Sequence, residues 1–196
     1  MNNLGNNRTP FVWGIDYNMS KAFIFENPLL CTDILWEIKG IGNNTHHNTI
    51  AKIPQLTITS PTDYDAYCRM FATVKAGLMR GDSFLANLTA PTAVSCSGSL
   101  RDIFNCSNAP FKLLLEDCFV CFSPEPFVRI EGGCISTFPM KGTIDASVPF
   151  AERHLLDDYK ETCEHNTIVD LLRNDLNRIA ENVTVKRFRY IDHIST

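Results

Sequence analysis

Between Phe150 and Ala180 the chain contains neither glycine nor proline, and no other interval constrains the fold as strongly. Uninterrupted backbone with apolar residues at three- and four-residue spacing predicts one long helix or two abutting helices. The stretch "PFAERHLLDDYKETCEHNTIVDLLRNDLNRIA" therefore reads as helical from Val148 to Ala180. Ile168, Leu171 and Leu172 form its expected buried stripe. Asp170 with Arg173, and Asp175 with Arg178, stand at the three-residue spacing of helical ion pairs.

What precedes it is mostly β. "FVWGID" (11–16) and "KAFIF" (21–25) flank the polar turn "YNMS". "DILWEIKG" (33–40) alternates with period two, and another short strand follows near 50–58. "SPTDYDAYCRMFATVKAGLMRGD" (60–82) is a helix capped by Thr62 or Asp63. Its apolar positions are Tyr67, Met70, Phe71, Val74 and Leu78, and Gly81 ends it. A strand at 83–94 and a short helix at 98–106 come next. Two hairpins then turn at Glu116-Asp117 (111–123) and at Gly132-Gly133 (126–140). A last strand is expected at 183–192. Hairpins with interspersed helices, and no regular βαβ alternation, make the fold class α+β, with antiparallel β-sheets packed against helices.

Composition excludes several functions. The chain is 44% hydrophobic and 20% charged with a net charge of −4, which gives no footprint for nucleic acid or an anionic membrane. "VKRFRY" (185–190) reads as a half-buried strand and not as a basic patch. No apolar run reaches the ~18 residues of a membrane span. The start, "MNNLGNNRTP", has no signal-peptide core, so a cytoplasmic location is expected. On that basis the N-x-S/T triplets are not glycosylation sites, and the eight cysteines read as reduced, mostly buried thiols. Cys118 and Cys121 form a lone CxxC in a strand-like run, read as core thiols. His46 and His47 sit in a polar loop, read as solvated.

Two clusters carry candidate chemistry. Glu161 and Glu164 are three residues apart on the predicted helix, with Asp157 four before Glu161. Like charges so placed are tolerated on a solvated face or used when a cation lies between them. Spacing alone favours the solvated face. Lys141 stands in "FPMKGT" (138–143), and Glu125 precedes it in "SPEPF". By composition alone they are a turn lysine and a strand-edge charge.

Together, "GDSFLANLT" (81–89), "SPEPFVRIEGG" (123–133), "FPMKGT" (138–143) and "EHNTIVDLLRNDLNR" (164–178) resemble, in order and spacing, the chorismate-utilising enzymes. That family includes the large subunits of anthranilate synthase and aminodeoxychorismate synthase, and the isochorismate and salicylate synthases. The resemblance runs from about residue 62 to the end, and residues 1–60 share it only loosely. The lysine of "PMKGT" resembles the aminodeoxychorismate (para-aminobenzoate, folate-route) branch; the anthranilate and isochorismate branches typically carry alanine there. Leu85 replaces a glutamine common in the first motif, and Ile144-Asp145 stand where a basic residue often follows.

The resemblance implies a magnesium-dependent enzyme that converts chorismate and ammonia to 4-amino-4-deoxychorismate. A glutamine amidotransferase subunit would supply the ammonia. Lys141 would attack ring carbon C2, and Glu125 would act as general acid/base. Glu164 would ligate Mg²⁺ with Glu161 as second or outer ligand, and Gly142 and Thr143 would contact substrate. For its nucleophile this chemistry requires a partly desolvated lysine, or one beside another cation. In the family a second half follows, bearing the other metal ligand and further substrate contacts. Residues 1–196 are accordingly expected to be one incomplete domain, with 1–60 loosely matched and 61–196 the first part of the catalytic domain. Alone it would be inactive, with apolar faces exposed and prone to self-association. Two alternatives stay open: a sibling anthranilate or isochorismate synthase, and a non-catalytic module that binds a ligand or partner.

Overall fold

A computed structural model describes residues 1–44, 53–123 and 125–194. His46 and His47 lie outside them. The described chain divides into two compact units. One comprises Met1–Asn44, Asn108–Leu113 and 121–194; the other comprises 53–107 and Leu114–Val120.

The first unit opens with a five-residue helix, α1 (Asn2–Asn6). The hairpin of β1 (Phe11–Ile15) and β2 (Ala22–Glu26) follows, with Phe11 opposite Glu26 and Ile15 opposite Ala22. Asp16 organises its turn, accepting the Ser20 amide at 2.7 Å and the Ser20 hydroxyl at 2.6 Å. These bonds, the Ser20 hydroxyl foremost, hold the Asp16 carboxyl below its ordinary range. Strand β3 (Ile34–Ile38) turns back into the two-residue β4 (Ile41–Gly42). Ile34 and Leu35 are buried there, and Lys112, 8% exposed, pairs with Glu37 at 3.0 Å. Asn43 ties this region together. Its Oδ1 accepts the Trp36 amide at 2.9 Å, and its Nδ2 donates to the carbonyls of Cys31 (3.0 Å) and Ile34 (2.6 Å).

The second unit pairs β5 (Leu56–Ser60) with β6 (Ala93–Cys96). Between them runs α2 (Tyr64–Arg80), where Asp63 accepts the Ala66 amide at 3.0 Å and Gly81 closes the helix in the left-handed region. Helix α3 (Leu100–Cys106) starts with a capping box of Ser99 and Asp102. It carries Phe104, which is fully buried, as is Leu114. Strands β7 (Phe111–Leu115) and β8 (Phe119–Ser123) form the expected hairpin, whose turn places Asp117 at φ 56°. Back in the first unit come β9 (Arg129–Glu131), β10 (Cys134–Ser136), α4 (Ala151–Asp157) and α5 (Tyr159–Leu176).

The α+β class stands, with antiparallel pairing where register is defined. Three local expectations need correction. The strand expected at 83–94 reduces to β6, since 83–92 has no regular structure; Pro91 has no N–H to give a ladder, and its carbonyl accepts the Thr62 hydroxyl at 3.3 Å. No strand forms at 183–192, where Asn182 and Arg189 take positive φ (57° and 49°). The helical span breaks at Asp158 into two abutting helices, one of the two forms expected for it. The cysteines are not mostly buried: five are exposed and three half-buried, all free.

Apolar stripes are likewise less covered than expected. Leu171 is 44% exposed, and on α2 Phe71 is 51% exposed. Among the described residues the buried hydrophobic side chains are Ile34, Leu35, Phe104 and Leu114. No helix of the described residues is long and apolar enough to cross a membrane.

Asn43 is the polar contact on which β3 most depends. Replacing it by alanine removes three hydrogen bonds and strands their half-buried partners. Asn43→Ala should destabilise the chain by about 2–3 kcal/mol in urea unfolding.

Candidate active site

The hairpin of β9 and β10 turns through Gly132 and Gly133, both in the left-handed region (φ 56° and 76°), as its two-residue turn demands. It lays the segment after β10 alongside the segment before β9. Thr137 donates its hydroxyl to the Phe127 carbonyl at 2.9 Å. Further out, the Met140 amide donates to Oε1 of Glu125 at 3.2 Å. The half-buried Glu125 is thus fixed beside Lys141, although sixteen residues separate them in sequence. Ser123 steadies the acid from behind, accepting the Glu125 amide at 3.1 Å and donating to its carbonyl at 2.8 Å.

Gly142 carries the loop past the helices. Its φ is +73°, and a Cβ there would stand 2.7 Å from Leu155 Cδ1 and 3.0 Å from Glu161 Oε2. A side chain is excluded on both counts. The Lys-Gly-Thr backbone therefore lies against a carboxylate of the Glu-x-x-Glu pair.

That pair sits in the first turns of α5. Asp158, in extended backbone (φ −67°, ψ 119°), ends α4 and caps α5 by accepting the Glu161 amide at 2.8 Å. The break changes the expected acidic cluster. Asp157 belongs to α4 and pairs with Arg153 at 3.3 Å, so it does not share the helical face of Glu161 and Glu164. Lys160 bridges those two, its Nζ lying 3.0 Å from Oε1 of each. Hydrogen bonds to Glu164 and then Glu161 push the Lys160 ammonium above its ordinary range. Further along α5, Asp170 and Arg173 approach to 4.0 Å. Arg178 falls beyond the end of the helix at Leu176.

A cavity of about 610 Å³ opens along this line of contacts. Lys141, Gly142 and Thr143 line it from one side, Glu161 and His165 from α5, and Arg189 from the C-terminal segment. Lys141 is exposed, and among the described residues nothing pairs with its amine. The loop presents the Lys141 side chain to open cavity and solvent. Thr143 is exposed as well. Glu125 and Glu164 stand one contact behind the lining, through Met140 and Lys160 respectively.

His165 and Arg189 were not singled out from sequence. His165 lies one helical turn after Glu161 and meets Phe188 edge-on at 5.3 Å. Burial, and secondarily the Arg189 charge, hold its imidazole below the ordinary range. Arg189 donates to the carbonyls of Leu156 (2.6 Å) and Leu155 (3.4 Å) near the end of α4. The four-residue spacing from Glu161 to His165 was a readable signal. Nothing local marked Arg189.

As for a metal, no group of three or more His, Cys, Asp or Glu side chains converges among the described residues. Glu161 and Glu164 do converge on one cation, and hard carboxylate oxygens in that number suit Mg²⁺, which retains waters and completes its shell from an anionic substrate. The donor set fits.

The model of the chorismate-binding enzyme family matches residues 26–196, reaching upstream of the motifs, and the chain belongs to that family. It is 45% identical over 202 residues to an uncharacterized PabA-like protein of Haemophilus influenzae, covering all of this chain and 59% of that protein. A PabA-like protein of Pasteurella multocida is 42% identical over all of this chain and 60% of its own length. Aminodeoxychorismate synthase component 1 of Salmonella typhimurium is 35% identical over 61% of this chain and 29% of that protein. An anthranilate synthase component 1 of Haloarcula marismortui is 34% identical over 72% of this chain and 32% of that protein. The chain thus spans about three-fifths of the length of the first two relatives. No solved structure matches it.

Gly142→Ala tests the packing of the loop against α5. Left-handed strain and the encounter with Leu155 and Glu161 should together cost about 1–3 kcal/mol of stability, read by chemical unfolding.

Proposed function

We propose that this member of the chorismate-binding enzymes contributes the nucleophile and general acid of an aminodeoxychorismate synthase, forming 4-amino-4-deoxychorismate from chorismate and ammonia. The observation that carries this reading is the Met140 amide to Glu125 carboxylate hydrogen bond, which ties an acid to the backbone next to Lys141, one contact behind the cavity lining.

The neutral Lys141 amine attacks ring carbon C2. Both conjugated ring double bonds shift, C1=C2 to C1=C6 and C5=C6 to C4=C5, the C4–oxygen bond breaks, and Glu125 delivers the proton with which the hydroxyl leaves as water. Ammonia then adds at C4, both double bonds shift back, and the C2–nitrogen bond to Lys141 breaks. Glu125 recovers the proton that the incoming nitrogen sheds. The net change is replacement of hydroxyl by amino. Glu164 and Glu161 would hold Mg²⁺, which, when bound, would neutralise the carboxylate of the substrate. Gly142 leaves the backbone accessible, and Thr143 offers a hydroxyl for a hydrogen bond. Ammonia would come from a glutamine amidotransferase partner, and the product would serve para-aminobenzoate and folate synthesis.

A sibling reaction is the second reading, favoured by the near-equal identity to an anthranilate synthase component. Lys141 separates the two. The full-length gene product, given chorismate, ammonium and Mg²⁺, should yield aminodeoxychorismate. Lys141→Ala should abolish that product, and Glu125→Gln should slow it about 10²–10⁴-fold. An unchanged rate in Lys141→Ala, with anthranilate or isochorismate as product, would establish the sibling. Absence of any turnover by the parent protein would favour a binding module.

A further inference from the structure

Lys160, at the acidic pair, has no part in the proposed chemistry. Its Nζ lies 3.0 Å from an oxygen of Glu161 and 3.0 Å from an oxygen of Glu164. One atom touching both carboxylates marks the point where a cation satisfies the pair. The carboxylates are recessed, at 21% and 32% exposure, whereas the Lys160 side chain is 72% exposed and enters from solvent. An exposed lysine on a flexible four-carbon stem is a weak tenant, since such pairs are worth a factor of only a few in an equilibrium constant. A divalent ion bound at oxygen distances near ~2 Å cannot share those oxygens with an ammonium at full occupancy.

We propose that Lys160 is a resident counter-ion that holds Glu161 and Glu164 in place and is displaced when a divalent cation binds. This rests on the reading of that pair as the Mg²⁺ ligands. It gives the lysine two effects. It relieves repulsion between like charges one turn apart when no metal is bound, and it weakens metal binding by competition.

Mn²⁺ binding, followed by the loss of the free-ion EPR signal, tests this in the full-length gene product without reference to turnover. Lys160→Met should bind Mn²⁺ roughly three- to tenfold more tightly than the parent, whereas Lys160→Arg should stay close to it. Without metal, Lys160→Met should melt at a lower temperature, and saturating Mn²⁺ should recover the difference; a general folding defect would persist with metal. Equal or weaker binding in Lys160→Met would overturn the role of Lys160 and leave the ligand pair standing. Mn²⁺ binding that survives Glu161→Gln with Glu164→Gln, or no binding by the parent, would overturn both.

Discussion

The close approach of Gly142 to Glu161 is the contact on which the site depends. It is possible because that position has no side chain and accepts a φ of +73°. Any larger residue would have to push aside Leu155 or the carboxylate. Through it the loop bearing Lys141 is registered on α5. Two other contacts extend the line: Glu125 to the Met140 amide on one side, and Lys160 to Glu161 and Glu164 on the other. The Lys141 loop and α5 thereby face one cavity, with Glu125 one contact behind its lining.

The electrostatics along this line are uneven. Lys160 already offsets one of the two charges of the acidic pair, whereas the amine of Lys141 faces the cavity without a partner among the described residues. A protonated lysine cannot attack carbon, so the proposed chemistry needs a filled cavity that excludes water and disfavours the ammonium. A bound substrate that displaces water around Lys141, with a divalent ion in place of Lys160, would supply that environment. The cavity walls also carry Arg189, whose guanidinium is spent on the carbonyls of Leu155 and Leu156.

Much of this was legible in the sequence where the signal is local. Gly81 ended α2, Asp63 capped its start, and Gly132-Gly133 turned the second hairpin, each by backbone conformation or a short-range hydrogen bond. The motif resemblance picked out Lys141, Glu125, Gly142, Thr143, Glu161 and Glu164, and four of these line the cavity. What stayed hidden depends on context. Asp158 is an ordinary residue inside a helical pattern until its side chain caps the next helix. The 183–192 segment alternates like a strand, but alternation does not furnish a partner for its ladder. The burial expected for the cysteines, and for Leu171 on α5, failed for a related reason: periodicity shows which face is apolar, not whether anything covers it.

Mass spectrometry of the full-length gene product, incubated with chorismate and Mg²⁺ but without ammonia, tests the central claim most directly. The account predicts an adduct of chorismate less one water on the peptide that bears Lys141, absent from Lys141→Ala. No adduct at Lys141 while ammonium still supports aminodeoxychorismate formation would contradict it.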